Sequence, residues 1–253
     1  MEPDALSEAS TDAEARIGPR WNETAREVLS RCGVAMAIGA KDSGKSSFLF
    51  WLARRAAEEG REVWLVDADV GQSDVGPPCA ISAAPVLASM ERAPGSHKPL
   101  RPLDARVLFF VGSTSPRGHL LPMVVGTCRA VEEARRRGAD LVLVNTSGYV
   151  SDEAAVVLKV AKIDGVRPDV LLTCGPSEPL HPMLDPYRFA RTPLVLTCRP
   201  ARGLRQRPTE HRQEARDDCW RHYFEGGKRR WLPLAAVGMV GGTRARIRDE
   251  KVR

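Results

Sequence analysis

Residues 39–46 read GAKDSGKS, a full G-x-x-x-x-G-K-[ST] pattern set between an apolar run (GVAMAI) and a helix-like run (SSFLFWLARRAAEE). Flanked in this way, the octet favours one arrangement: a strand feeds a glycine-containing turn, the turn wraps its backbone N–H groups around an anion, and a helix starts there. A binder of nucleotide phosphates is expected. Gly39 and Gly44 let the backbone curl, Lys45 brings a point charge to the β- and γ-phosphates of ATP, and the Ser46 hydroxyl is placed to ligate Mg²⁺. Asp42, Ser43 and Ser47 complete the candidate ATP-binding set.

Around this octet, short apolar runs alternate with amphipathic ones. Strands are expected at 33–39, 62–67, 107–112, 141–146, 169–174, 194–198 and 233–240, most of them apolar enough to be buried on both faces. Helices are expected at 22–31, 45–59, 120–137, 151–163 and 210–224. Arg135, Arg136 and Arg137 followed by Gly138 suit a helix end, with cations at the negative pole and glycine at the cap. The class is α/β, a P-loop NTPase with a doubly wound, mainly parallel sheet and helices on both faces. The stretch 70–106 breaks the pattern: it is long, punctuated by Gly and Pro, and shows no clear crossover helix.

Composition narrows the setting. Residues 1–18 are acidic, small and without apolar periodicity, and are expected to be a disordered tail; 243–253 is a basic tail. No apolar run is long enough to span a bilayer, and the mean hydropathy is -0.28, so no membrane association is expected. The six cysteines form no C-x-x-C pair, which suits reduced thiols in a cytoplasmic protein. Net charge is +6, and because the N-terminal tail is acidic, the folded part is more basic still. Polyanionic partners fit that balance.

Further candidates fall where strands run into loops, the ligand-binding edge of such sheets. Asp67 and Asp69 stand two apart in VDADVGQSD; on an extended strand both carboxylates point to one side, suiting a magnesium shell or a general base. The loop GSTSPRGHLLP crowds Ser113, Thr114, Ser115 and Arg117 ahead of a helix, where they either cap it or hold a phosphate or sugar hydroxyl. In NTSGYV, Tyr149 follows Gly148 and either stacks on a base or fills the core. Residues 199–222 are rich in arginine; Arg212 and Arg216 share a helix face and Arg207 precedes it, giving either a solvated basic face or a lid over transferring phosphate.

DSGKS, DADVGQ, TSPRGH, NTSGY and the arginine-rich segment follow one another as in the polynucleotide 5′-hydroxyl kinases related to the kinase subunit of the mRNA cleavage factor and to the ribosomal-RNA-processing kinases, which the chain resembles over about 21–225. The resemblance implies a kinase domain over 19–242 that uses ATP and Mg²⁺ and acts on the 5′-hydroxyl end of RNA or DNA; it names no protein partner. It implies Lys45 and Ser46 as ATP and metal residues, and Asp69 as the base, supported by Asp67 and Gln72. Thr114, Ser115, Pro116 and Arg117 would hold the acceptor, Thr146, Gly148 and Tyr149 would form a clasp on it, and Arg207 and Arg212 a catalytic lid. Tyr149 stands where relatives commonly place tryptophan. The alternatives are a switch-type ATPase of the deviant phosphate-loop group, which wants a lysine where this chain has Ala40, and a small-molecule kinase.

Overall fold

The computed structural model describes residues 20–31, 33–93, 98–199 and 209–231. Its centre is a seven-stranded sheet with the order β4-β3-β2-β5-β1-β6-β7, where β1 is Gly33–Gly39, β2 Val63–Ala68, β3 Ala80–Val86, β4 Val107–Phe110, β5 Leu141–Thr146, β6 Val170–Cys174 and β7 Leu194–Cys198. The helices are α1 Trp21–Arg31, α2 Lys45–Glu58, α3 Leu120–Arg136, α4 Glu153–Val166, the short α5 His181–Leu184, and α6 Thr209–Phe224. The expected strand at 233–240 and the two tails lie outside the described residues.

Strands β2, β5, β1, β6 and β7 run parallel, and every residue of β2 and β5 is buried, as their unbroken Val/Leu runs require. One apolar cluster fills the face under α1 and α2, and a second fills the face under α3 and α4. Trp21 locks α1 in place: it is fully buried, its ring lies 5.2 Å from those of both Phe48 and Trp51, and its indole N–H donates to the Arg199 carbonyl at 2.7 Å.

One expectation needs correction. The stretch after β2 contains a strand, β3, that pairs antiparallel to β2 and carries β4 antiparallel on its other side, so the sheet extends without a crossover helix. Its sequence, AISAAPV, hides the signal among small residues and a proline; Pro85 lies beyond the Ala80–Ala83 stretch that pairs with β4. Burial of most strands on both faces holds for β1, β2, β5 and β6, whereas the residues of the outermost strands β4 and β7 alternate between intermediate and exposed except at Cys198.

Met1–Tyr223 forms one compact unit. Of the second, Phe224–Arg253, the described part is 224–231, in which Gly226 turns the chain with a φ of 72° and Trp231 is exposed. No helix among the described residues is long and apolar enough to cross a membrane.

Candidate active site

The order of the sheet places β1 between β5 and β6, so the carboxyl end of β1 opens between the loops that leave those strands. The phosphate loop occupies that opening. At Gly39 a Cβ would sit 2.1 Å from the Cys174 carbonyl oxygen, and Gly44, at the N-cap of α2, has a left-handed φ of 86°, so both positions require glycine for a stated reason. Lys45 is buried, and its ammonium donates to the carbonyls of Gly39 (2.9 Å) and Ala40 (2.6 Å) and to Ser43 Oγ (3.3 Å). Burial lowers its pKa, and the nearby Asp69 and Asp42 carboxylates oppose that shift.

Asp67 and Asp69 do not act as a matched pair. The chain leaves β2 after Ala68 and turns, with Asp69 Oδ1 accepting from the backbone N–H of Gly71 (3.0 Å) and Gln72 (3.2 Å), which fixes that carboxyl in the wall of a cavity of about 480 Å³. Asp67 sits behind it at 1 % exposure and does not line the cavity. Its oxygens accept from the backbone N–H of Asp69 (3.0 Å) and Asp74 (2.6 Å) and from Asn145 Nδ2 (3.1 Å). Asp67, expected among the metal residues, therefore stands behind the cavity wall with both carboxyl oxygens accepting hydrogen bonds from the turn that carries Asp69. Burial, together with Asp74 and Asp69, pushes its pKa up to about 7.

Asn145, which sequence reasoning passed over, ties the two halves together. Its Nδ2 lies 3.2 Å from Ser46 Oγ as well as against Asp67, while its buried Oδ1 has no hydrogen-bond partner among the described residues.

The cavity brings together Ser43, Gly44, Lys45, Ser46, Ser47 and Asp42 of the phosphate loop with Asp69, Gln72, Thr114, Ser115, Pro116, Arg117, Gly148, Tyr149 and Arg212. Close backbone packing holds the loops: a Cβ on Gly71 would lie 2.8 Å from the Thr114 carbonyl oxygen, and one on Gly148 would lie 2.5 Å from the Lys41 backbone nitrogen. Tyr149 is fixed by its hydroxyl, which donates to Asp152 Oδ1 at 2.5 Å, and by the Arg117 guanidinium 5.3 Å from its ring centre. Arg117 also donates to Asp152 Oδ2 at 2.5 Å, and Asp152 caps α4 by accepting from Ala155 N–H.

Thr146, expected in the acceptor clasp, is not among the residues that line the cavity. It is fully buried; its hydroxyl donates to the Ala37 carbonyl at 2.7 Å and accepts from Lys159 Nζ at 2.9 Å, which ties β5 to β1 and to α4. Lys159 also donates to the Ser147 carbonyl at 2.5 Å, so this buried lysine shapes the 145–148 corner.

Across the opening lies α6. Arg212 Nη2 donates to Asp42 Oδ2 at 2.8 Å, and the Arg212 carbonyl accepts from Gln72 Nε2 at 3.1 Å. Arg216, one turn on, and Lys98 line the same cavity; Lys98 came from the stretch that gave no pattern in sequence. Arg207 lies outside the described residues. A larger cavity, about 610 Å³, is lined by His181, Tyr187, Arg188 and Leu194 at the amino end of β7, and holds none of the motif residues. The chemistry converges on the smaller one.

The profile of the family described as mRNA cleavage and polyadenylation factor CLP1 P-loop matches residues 39–226. The chain belongs to this family. Among curated proteins the chain is similar to a polyribonucleotide 5′-hydroxyl-kinase of Pyrococcus furiosus, 35% identical over 84% of this chain and 56% of that protein's length. One of the same title from Thermococcus kodakarensis is 33% identical over 81% of this chain and 55% of its own length. The chain spans about half the length of these curated relatives. A solved Clp1p–Pcf11p complex contains a chain with the same fold, at a TM-score of 0.65 and 13% identity, covering 81% of this chain and 53% of that one.

Proposed function

We propose that the chain is an ATP-dependent polynucleotide 5′-hydroxyl kinase, carrying the γ-phosphoryl group of ATP to the 5′-hydroxyl of RNA or DNA. The observation that supports this most directly is that Lys45, Asp69 and Arg212, from three separate segments, line one cavity. The names of the relatives point the same way.

In the proposed step, the 5′-oxygen bonds to the γ-phosphorus while the bond from that phosphorus to the β,γ-bridging oxygen breaks, and ADP departs with the bonding electrons. The hydroxyl proton passes to the Asp69 carboxylate, which the Gly71 and Gln72 N–H groups hold at the cavity wall. Lys45 and the loop N–H groups cradle the phosphates, and Arg212, with Arg207, brings positive charge to the transferring group, a contribution of about 10³–10⁵ in rate for arginines so used. The Thr114–Pro116 loop and Tyr149 position the acceptor nucleotide. Ser46 and Asp69 would supply oxygens for Mg²⁺, with Asn145 Nδ2 holding the Ser46 hydroxyl at 3.2 Å. Bound there, Mg²⁺ would neutralise phosphate charge.

Among the alternatives, a switch-type ATPase lacks its lysine at Ala40, and a small-molecule kinase gives no purpose to the arginines of α6. A cytoplasmic setting accompanies the proposal, in keeping with free thiols at the described cysteines. The test is ATP labelled in the γ-phosphate, with Mg²⁺ and matched 5′-hydroxyl RNA and DNA oligonucleotides. Label on the 5′ end with the wild type, and none with Lys45→Ala, is the expected outcome. Release as free phosphate alone would reject the proposal in favour of a hydrolase.

A further inference from the structure

We infer that a second, smaller cavity beside the active-site cavity is the subsite for the first internucleotide phosphate of the acceptor strand; this rests on the kinase reading and assigns the strand its exit path. The cavity, of about 180 Å³, lies between α6 and the segment 98–102, and Gln72, Lys98 and Arg216 line both cavities, so the two are contiguous.

Charge picks this exit over the other. On the far wall, the cation Arg117 is already neutralised by Asp152. Arg212 is fastened to Asp42 of the phosphate loop and is assigned to the transferring phosphoryl group, so it is committed to the other end of the reaction. In the smaller cavity Lys98 pairs with Asp74 (2.8 Å) and Asp218 pairs with Arg221, but Arg101 and Arg216 have no carboxylate partner among the described residues. Two unpaired guanidinium groups around a cavity that continues from the site of the reacting hydroxyl form a receptor for a phosphodiester, whose oxygens guanidinium groups bind in a planar fork. Pro99, Leu100 and Pro102 add an apolar wall of the kind a ribose or base packs against.

The subsite is built before any strand enters. Leu103 N–H donates to the Asp74 carbonyl (2.9 Å) and Gly76 N–H to the Leu103 carbonyl (2.8 Å), pinning the 98–102 wall to the turn that follows Asp69. On the other side the Cys219 thiol donates to the Ser73 carbonyl at 3.5 Å, pinning α6 to the same turn. Both walls thus refer to the segment that positions Asp69.

The experiment measures binding without turnover, using the whole chain with a non-hydrolysable ATP analogue and 5′-hydroxyl acceptors: a nucleoside, a dinucleotide, a trinucleotide, and a dinucleotide whose linkage is an uncharged methylphosphonate, in RNA and DNA series. The wild type is expected to gain about tenfold in affinity from nucleoside to dinucleotide, the scale of a charged hydrogen-bonded contact, and to lose that gain with the methylphosphonate. Arg101→Gln and Arg216→Gln should each diminish the gain and reduce the slope of log affinity against log salt by about 0.7. Arg101 is exposed, so its variant should fold, and the methylphosphonate arm needs no variant at all. A gain in either sugar series supports the subsite. Equal affinity for nucleoside and dinucleotide in both series, or a gain untouched by both variants, overturns it. The same samples assayed with ATP separate the two readings: an arginine-dependent gain without phosphoryl transfer keeps the subsite and rejects the kinase, whereas transfer without the gain does the reverse.

Discussion

Arg212 on α6 donates from Nη2 to Asp42 Oδ2 of the phosphate loop at 2.8 Å, which fastens the arginine-bearing helix directly to the loop expected to hold ATP. The two side chains are 23% and 18% exposed, so solvent screens the pair less than it would a surface bridge. A double-mutant cycle of Arg212→Ala and Asp42→Asn should give a coupling energy on the order of 1 kcal/mol. Both variants should raise hydrogen exchange along α6. Arg212→Ala should in addition lower kcat by about 10³, because it removes charge from the transferring phosphoryl group as well as the fastening. Retention of kcat within twofold would remove Arg212 from the catalytic set.

Gly148 is the contact point between the corner after β5 and the phosphate loop. A methyl group at this position would lie 2.5 Å from the backbone nitrogen and 2.6 Å from the Cα of Lys41, and backbone cannot rotate away as a flexible side chain would. Gly148→Ala should therefore push the phosphate loop out of line and raise KM for ATP by roughly tenfold or more, with far-UV circular dichroism unchanged. An unaltered KM would mean that the corner, and not the loop, gives way.

Asp152 joins three tasks: it caps α4, accepts the Tyr149 hydroxyl and holds Arg117. The Tyr149 hydroxyl, the Ala155 N–H and Arg117 together hold its pKa below the usual carboxylate range. Tyr149→Phe keeps the ring and loses only one of these bonds, whereas Asp152→Ala frees both ring and guanidinium. If these groups orient the acceptor, as proposed, KM for the acceptor should rise by about fivefold in the first and more in the second, with kcat nearly constant. A fall in kcat at constant KM would contradict that assignment.

Much of this site was legible in sequence because its motifs sit where strands end, and continuous Val and Leu runs such as LVLVNT mark buried parallel strands whatever else surrounds them. What escaped was set by tertiary pairing. Strand β3 was invisible because its alanines, serine and proline carry no β signal; the flanking β2 and β4 make it a strand. The spacing of Asp67 and Asp69 suggested a shared side, but an extended strand was assumed where the chain turns, and the backbone N–H groups that cause the turn have no trace in side-chain pattern. Thr146 was placed in the acceptor clasp by the resemblance, and the buried ammonium of Lys159, thirteen residues on, donates to its hydroxyl from α4. Lys98 lay in a stretch without periodicity, and its pairing with Asp74 is a tertiary contact that no sequence pattern announces.

Lys162 on α4 presents the reverse case, a charge with no visible task. Its side chain is fully buried, and Nζ has no hydrogen-bond partner among the described residues. Burial pulls its pKa down to about 8 from 10.5, with Asp69 and Cys128 opposing the shift. Between these values the unfolded chain binds more protons than the folded one, so this group makes the fold more stable as pH rises through the window; below about 8 the full penalty of the buried charge applies. Lys162→Met keeps most of the volume and removes the charge. The variant should be more stable than the wild type at pH 7 by on the order of 3 kcal/mol, a difference that shrinks toward zero as pH approaches 10.5. Lys159 is lowered by burial and also by the Lys162 charge, so Lys162→Met relieves Lys159 as well, and the measured difference is that of the two coupled lysines. Urea unfolding of the pair at pH 7, 8.5 and 10 measures the difference directly; a gap independent of pH would show that Lys162 reaches solvent or a partner in solution, and that its burial carries no electrostatic cost.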